Sequence, residues 1–413
     1  MNSLQRDKEV LRSLAERYSA IAHLDVQKER IERYYRTVGM EEMRPVVLID
    51  EVPWGEIRDD ALVNQCENEA YRGLEGLLRC ALYQWEHFQV DRVFPPVFQI
   101  GKRIRSTGIG IGVRENVIKG DTGAYIASHE YEDQLKTEED LEKLELPVIS
   151  YDKEGTEKAA ELAVDVFAGL MEIEVVGTSF QYNIWDQISC FRGVDSLLLD
   201  LAVRPDFMHR MARRFKEIAA ETFRQYLELD LLHTSPVLLH CTPACSRELP
   251  AADFAGVPRA ADVWGRCSAQ IFSAVSPEMH DEFDLEYNQE LFGRCGLLYY
   301  GCCEPLDRKV DILRKRFGNL RKISITPWAD PEIAARSMGS ELVMAAKPNP
   351  AFVGGQSFNP APVEEEIRRY LDACKEYGTT CEFVLKDVST IANRPENLTC
   401  WAQTVSGVID QYF

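Results

Sequence analysis

Long hydrophobic runs are missing from this sequence. Nowhere do 18 apolar residues follow one another, so a membrane-spanning helix is not expected. The residues from Met1 to Val10 are charged and lack the apolar core of a signal peptide. Basic charge is scarce as well, since 47 Lys and Arg stand against 67 Asp and Glu, a formal net charge of −20. Nucleic acid and anionic membranes would be repelled by that average field, so we expect neither as a partner.

Two common motifs are also absent. The 12 cysteines contain no CxxC pair and no short regular spacing, which argues against a disulfide framework and favours reduced thiols in the cytoplasm. No strand candidate is followed by GxGxxG, and Gly108–Gly112 has the wrong spacing for that phosphate-binding turn. The usual dinucleotide-binding fingerprint is therefore not expected.

Short apolar runs alternating with helical patterns are what the sequence does contain. Strands of this kind predict a parallel sheet covered by helices, and eight such units close most naturally into a single (β/α)8 TIM-type barrel, with an open doubly wound sheet as the alternative. The eight candidates are Pro45–Asp50, Val90–Ile100, Ile173–Phe180, Val237–Cys241, Leu297–Cys303, Lys322–Trp328, Leu342–Lys347 and Cys381–Val388.

The chain is expected to form one barrel domain with two additions. Residues 1–36 have a helical pattern and predict an N-terminal helical extension, so the barrel would span 37–413. The stretch of about 102–147 is too long for a simple connection, which predicts an insertion that covers the barrel mouth like a lid or builds an interface.

The run Leu297–Leu306 is the most informative stretch, because it ends in two adjacent thiols and a carboxylate. In a parallel α/β fold Cys302, Cys303 and Glu304 would lie at the carboxyl end of a strand, where such folds place their chemistry. Thiolates and a carboxylate suit zinc, and His240 lies at the end of another predicted strand and could complete the set. The alternative is that these residues serve packing, since free cysteine is often buried.

Other strand ends supply candidate acid–base and binding groups. Asp387, Asp330 and Asp50 are the candidate catalytic carboxylates, although Asp387 could equally cap a helix or form an ion pair. Lys347 could hold an anionic group or lie in solvent, and a tryptophan in a loop either walls a ligand or packs beneath the loop. The candidate substrate-binding residues are Trp264, Asp262, Trp328, Lys347 and Tyr182.

Six short motifs stand in order along the chain, namely Phe191–Asp195, Leu199–Phe207, Ser276–Phe283, Leu297–Cys303, Phe383–Asp387 and Pro395–Leu398. Each motif is weak by itself, but their order and spacing together are moderately specific. With these motifs and the eight strand–helix units, the chain resembles the uroporphyrinogen decarboxylase-like superfamily of barrel proteins.

The resemblance implies one of two activities. One branch decarboxylates porphyrinogens without a cofactor, and the other comprises zinc-dependent methyltransferases that exchange methyl groups with a corrinoid protein. The region Pro45–Trp54 lacks the Arg-rich loop of the decarboxylases, whereas Gly301–Glu304 replaces the His-x-Cys zinc motif of the methyltransferases. We expect a zinc-dependent methyltransferase that acts on a small methylated substrate with a separate corrinoid protein. A cofactor-free lyase and a non-catalytic ligand-binding barrel stay as alternatives, and a homodimer is compatible with the sequence.

Overall fold

Seven parallel strands form the central sheet of the computed structural model, which describes residues 3–119 and 127–413. Their order across the sheet is β1-β7-β6-β5-β4-β3-β2, so β2 to β7 follow one another in sequence order and β1 lies beside β7. This arrangement is consistent with a TIM-like barrel whose recorded pairing leaves β1 and β2 at its two edges. The strands are β1 (Val46–Ile49), β2 (Phe180–Gln181), β3 (Trp264–Cys267), β4 (Leu297–Tyr300), β5 (Leu320–Ile325), β6 (Val343–Ala346) and β7 (Thr380–Leu385).

Helices fill most of the remaining described chain, and none of those described is long and apolar enough to cross a membrane. Several begin at a capping side chain, as at Asp330, or at a proline, as at Pro360. The helices are Ser3–Ala22, Asp25–Val38, Glu69–His87, Glu138–Leu141, Lys153–Phe167, Ile184–Arg192, Val194–Val203, Pro205–Glu228, Pro277–His280, Glu286–Phe292, Val310–Arg316, Pro331–Met338, Pro360–Tyr377 and Glu396–Ile409, with a π-helical turn at Asp281–Leu285.

Both faces of the sheet are buried. Leu298 and Tyr300 of β4 join the large core that the sheet makes with its helices, whereas Leu297 and Tyr299 join a second cluster together with Trp264. Successive side chains of a strand point to opposite faces, so one strand serves both clusters. This double burial explains why the strands have nearly continuous apolar sequences.

Five predicted strands are confirmed as β1 and β4 to β7. The Val237–Cys241 prediction is wrong, because Leu238–Leu239 forms only a two-residue hairpin with Thr242–Pro243 outside the main sheet. The prediction Ile173–Phe180 is divided between Glu172–Val176, which lies outside the main sheet, and β2. Strand β3 was missed, because its WGRC sequence contains Gly and Arg in place of an apolar run.

The predicted strand Val90–Ile100 is also only partly correct. Its end, Val97–Gly101, pairs with Glu172–Val176 away from the main sheet. The two prolines at 95 and 96 lack the N–H groups that a central strand must donate, which explains why the first part of this stretch stays irregular.

The predicted insertion is built from β-structure that packs on helices. Within 102–147, Ile104–Ser106 pairs with Ile149–Tyr151, and Glu115–Lys119 pairs with Ala127–Tyr131; residues 120–126 lie outside those described. Glu138 forms an ion pair with Arg210 of the helix Pro205–Glu228. The described part of this stretch therefore lies against the helices near residues 184–228.

Candidate functional site

Polar side chains follow four neighbouring strands of the sheet. Cys302 and Cys303 come after β4, Thr326 after β5, Lys347 after β6, and Lys386 and Asp387 after β7. Since the strands are parallel, all these residues lie at the same edge of the sheet, as the sequence predicted for the thiols.

Five side chains meet in what we call the thiol–ammonium group, namely those of Cys302, Cys303, His240, Lys386 and Asp387. The Nζ atom of Lys386 lies 3.0 Å from Cys302 Sγ, 3.6 Å from Cys303 Sγ and 3.0 Å from Asp387 Oδ2. The two Sγ atoms are 3.7 Å apart, and His240 Nε2 lies 3.5 Å from Cys302 Sγ. Cys303 Sγ is 3.2 Å from Asp387 Oδ2. The ammonium thus contacts both sulfur atoms and the carboxylate.

The two thiols differ in acidity. A hydrogen bond from Cys303 lowers the pKa of Cys302, and contacts with His240 and Lys386 lower that pKa further, although burial opposes them. The same hydrogen bond raises the pKa of Cys303, which keeps its proton. Burial alone would lower the pKa of Lys386, but the thiolate of Cys302 raises it. The pair Cys302–Lys386 is therefore a thiolate beside an ammonium at neutral pH.

Backbone strain gathers at the same place. Glu51, His240 and Asp387 adopt φ angles of 53°, 54° and 55°, a left-handed region that non-glycine residues rarely occupy. The N–H of Asp387 donates to Glu51 Oε2 at 2.8 Å, which holds two of the three together. Strain of this kind costs about 1–3 kcal/mol per residue and clusters at functional sites.

A left-handed turn at Asp387 brings two adjacent side chains to one site. Side chains of adjacent residues in a strand point to opposite faces, so a continued strand would direct only one of Lys386 and Asp387 toward the thiols. The strand ends at Leu385, and the turn brings both side chains to the thiols. Lys386 is the more deeply buried, with 2% of its side chain exposed against 48% for Asp387.

Two cavities reach the thiols or the imidazole of the thiol–ammonium group, and a third, of about 740 Å³, reaches only Asp387 of the group. The first, of about 680 Å³, is lined by both thiols, Lys386, Asp387, Lys347 and Trp328 among others. The second, of about 750 Å³, is lined among others by Asp50, Glu51, Arg92 and His240. Since His240 contacts Cys302, the group lies where the two cavities approach each other. No residue of 102–147 that the structure describes is among those lining either cavity.

Glu304, predicted to be a metal ligand, is turned away from the thiols. Its Oε1 accepts from the N–H of Ala269 at 3.1 Å, and its Oε2 accepts from the N–H of Cys302 at 3.0 Å. The side chain is fully buried, and burial raises its pKa to about 7. Its contacts are those of a structural carboxylate that holds the loop after β4.

Four other predicted residues lie away from the group. Asp330 accepts from the N–H groups of Glu332 and Ile333 and so caps a helix. Asp262 is buried and paired with Arg259. The buried indole of Trp264, a residue of β3, donates to the carbonyl of Ala244, and Tyr182 packs against the large core. None of the four is among the residues lining the two cavities.

The remaining predicted residues do line the cavities, and some important residues were missed. Asp50 lines the second cavity, whereas Lys347 and Trp328, which is 74% exposed, line the first. No role was expected for Lys386 or Thr326. The available signal was their position near the carboxyl ends of the predicted strands Cys381–Val388 and Lys322–Trp328.

The spacing of the donor atoms in the thiol–ammonium group favours a zinc site, whereas the positive charge of Lys386 opposes one. The ligand atoms of a tetrahedral zinc lie roughly 3.3–3.8 Å apart. Two distances agree with this spacing, 3.7 Å between the two Sγ atoms and 3.5 Å between Cys302 Sγ and His240 Nε2. The ammonium of Lys386 occupies the place beside both sulfur atoms, however. Across the described residues, no group of three or more His, Cys, Asp or Glu side chains is arranged to hold a metal ion. The residues as placed therefore do not fit zinc.

Comparison with known proteins shows a similarity of fold. No protein-family model and no curated protein sequence matches the chain. A solved structure of a methyltransferase from Methanosarcina mazei is similar to it with a TM-score of 0.51 and 10% sequence identity, covering 93% of this chain and 98% of that one. The two chains thus share a fold over nearly their whole lengths.

Proposed function

We propose that the protein is a methyltransferase and that methyl transfer takes place at the thiol–ammonium group. The observation that carries this proposal is the buried ammonium of Lys386 between two cavities. A methyl transfer brings two reactants together, and adjoining cavities offer a place for each. The fold shared with the archaeal methyltransferase agrees with this proposal but says nothing of substrate.

The reaction is a displacement at the methyl carbon. The acceptor forms a bond to that carbon while the bond to the donor heteroatom breaks, and the electron pair stays on the heteroatom. The ammonium of Lys386 stabilises the negative charge that develops there. The thiolate of Cys302 keeps Lys386 protonated, and Asp387 holds the ammonium in position at 3.0 Å.

The finer proposals come from the resemblance. We propose a small methylated substrate and a corrinoid carried by a separate protein as the methyl acceptor. We also propose that the sheet closes as a (β/α)8 barrel over 37–413, with 1–36 as an N-terminal extension. The N–H of Asp91 donates to the carbonyl of Val47 at 2.8 Å on the free edge of β1, which supports closure there.

The methyl-transfer proposal is tested with cob(I)alamin as acceptor and a panel of methylated amines, ethers and thioethers. Formation of methylcobalamin is followed by visible absorption. Lys386→Met should lower the rate about 100-fold or more, since one stabilising cation is removed. The matched control is Lys158→Met, which removes a lysine that is 70% exposed on a helix and should leave the rate unchanged. Equal rates in wild type and Lys386→Met would contradict the role of Lys386.

The same variant tests zinc. If the ammonium excludes the metal, wild-type protein binds zinc weakly, and Lys386→Met binds it more tightly through the freed thiolates and His240. Competition with a chromogenic chelator measures both affinities. Stoichiometric zinc in the wild-type protein as isolated would restore the zinc-dependent mechanism and contradict the exclusion.

A carboxy-lyase is the second candidate. It is favoured by the buried cation Lys347, which lines the first cavity and suits a carboxylate substrate. Release of CO2 from a porphyrinogen, without methyl transfer to cob(I)alamin, would favour this candidate over the first.

A further inference from the structure

Two polar side chains of the first cavity are buried without a nitrogen or oxygen partner. Lys347 and Thr326 are each 2% exposed, and among the described residues neither Lys347 Nζ nor Thr326 Oγ1 has a nitrogen or oxygen atom as hydrogen-bond partner. Both residues line the cavity. Ile325 of β5 pairs with Ala346 of β6, so the next residues, Thr326 and Lys347, lie side by side just beyond the strands. Buried polar groups are normally satisfied, so a neighbouring pair of unsatisfied ones needs an explanation.

The charge of Lys347 is also unbalanced. No ion pair joins Lys347 to a carboxylate in the part of the chain that the structure describes. Its Nζ lies 5.8 Å from the ring centre of Tyr299, which offers a π face and no countercharge. The Cys241 thiol makes a hydrogen bond with Lys347, but burial raises the pKa of this thiol, so it stays neutral and supplies no countercharge. An ammonium in these surroundings lacks the anion that would repay its desolvation.

A second buried cation lies in the same part of the molecule. Arg266 is 4% exposed and forms no ion pair with a carboxylate in the described residues; its guanidinium reaches only Asn183 Oδ1 and the carbonyl of Gly301, both at 3.4 Å. The negative groups nearby, the Cys302 thiolate and Asp387, are engaged with Lys386. In a chain of net charge −20, this part of the molecule therefore holds two buried cations, Lys347 and Arg266, that no carboxylate of the described residues neutralises.

We propose that the first cavity binds the carboxylate group of its ligand at Lys347 Nζ and Thr326 Oγ1. The carboxylate completes the ion pair of Lys347 and accepts the hydroxyl hydrogen of Thr326. If the protein is the methyltransferase proposed above, its substrate is a small methylated carboxylic acid whose other end reaches Lys386 and the thiols. This identification of the substrate rests on the proposed function. The carboxylate site itself does not depend on which reaction follows.

The thiols beside the site allow a test before the substrate is known. A cysteine thiolate displaces iodide from iodoacetate or from iodoacetamide, forming an S–CH2 bond while iodide leaves with the electron pair. The two reagents are similar in size but only iodoacetate carries a carboxylate. The rate of each is measured at Cys302 and Cys303 by peptide mass spectrometry, with the half-buried Cys400 as internal reference.

The iodoacetate-to-iodoacetamide rate ratio at Cys302 or Cys303 should exceed that at Cys400 by about tenfold, since a buried cation attracts the anionic reagent. Lys347→Met should abolish most of this excess, Thr326→Val should reduce it less, and Lys158→Met should leave it unchanged. Removing an unpaired buried charge should not unfold the protein, so the thermal midpoint of Lys347→Met is expected at or above that of wild type. An excess that persists in Lys347→Met overturns the carboxylate site.

A second measurement covers the case in which neither thiol reacts. Propionate should raise the thermal midpoint of wild type more than propionamide does, and Lys347→Met should lose this difference. Equal effects of the two compounds on wild type overturn the proposal. A preference for carboxylates without any methyl transfer would contradict the proposed function but support the carboxylate site. Methyl transfer without this preference would support the proposed function but contradict the site.

Discussion

At the scale of residues, the site is defined by side chains that are individually in unfavourable states. Three non-glycine residues, Glu51, His240 and Asp387, have left-handed backbones, and the ammonium of Lys347 is buried without an anion. Each of these conditions costs stability, and the rest of the fold must offset it. Three of the seven left-handed non-glycine residues in the described chain thus lie at this edge of the sheet, together with the buried ammonium of Lys347.

Glu304 gives a prediction about pH. Burial raises its pKa in the folded protein to about 7, against an ordinary value of 4.5. The folded state therefore keeps a proton that the unfolded state loses, and the unfolding free energy should fall as the pH rises from 4.5 to about 7, by about 3 kcal/mol at most from this group. Urea unfolding across this range measures the effect.

The control for this prediction is Glu304→Gln, which cannot titrate. As the pH rises from 4.5 to about 7, wild type should lose unfolding free energy relative to this variant, because only wild type titrates at position 304. A difference that stays constant with pH would show that Glu304 does not hold a raised pKa. Metal content should be the same in both proteins, because both carboxylate oxygens of Glu304 are bonded to backbone N–H groups.

At the scale of elements, a buried ion pair connects two strands that are not neighbours. Lys322 of β5 lies 2.7 Å from Glu382 of β7, with β6 between the two strands, and both side chains are fully buried. Lys322 Nζ also donates to the carbonyl of Pro243 at 2.6 Å and to Thr242 Oγ1 at 3.0 Å. The hairpin at 238–243, which was predicted to be a barrel strand, is thereby attached to the strands of the main sheet.

Removing one partner of this ion pair should be costly. Lys322→Met leaves the carboxylate of Glu382 buried and unpaired, so the unfolding free energy should fall by about 3–5 kcal/mol. The double variant Lys322→Met/Glu382→Leu removes both charges and should recover much of the loss. Chemical denaturation of the two variants and wild type checks this, and a double variant no more stable than the single one would contradict it.

At the scale of the whole molecule, the N-terminal helix Ser3–Ala22 belongs to a separate hydrophobic cluster. Leu11 and Leu14 pack there with residues of the helices Glu69–His87 and Lys153–Phe167. The carboxylate of Asp7 also accepts from the N–H groups of residues 67 and 68, just before the helix Glu69–His87. The opening helix is thus packed into the structure by both apolar and polar contacts.

Leu11→Ala tests how strongly that helix contributes. Leu11 is fully buried, so the cavity left by truncation should lower the unfolding free energy by about 2–5 kcal/mol. Leu24→Ala, at a residue that is 44% exposed, should change it by no more than about 0.5 kcal/mol. Equal effects of the two substitutions in thermal or urea unfolding would show that the helix is only loosely attached.

The sequence by itself determined the α/β class, five strands of the sheet and the position of the two thiols at a strand end. These follow from local patterns, because a strand buried on both faces must be apolar along its length. Only the tertiary structure decided that Lys386 lies among the thiols, that Glu304 turns away from them and that Lys347 has no countercharge. Those outcomes depend on left-handed turns and on contacts between residues as distant as 302 and 386, which local spacing does not encode.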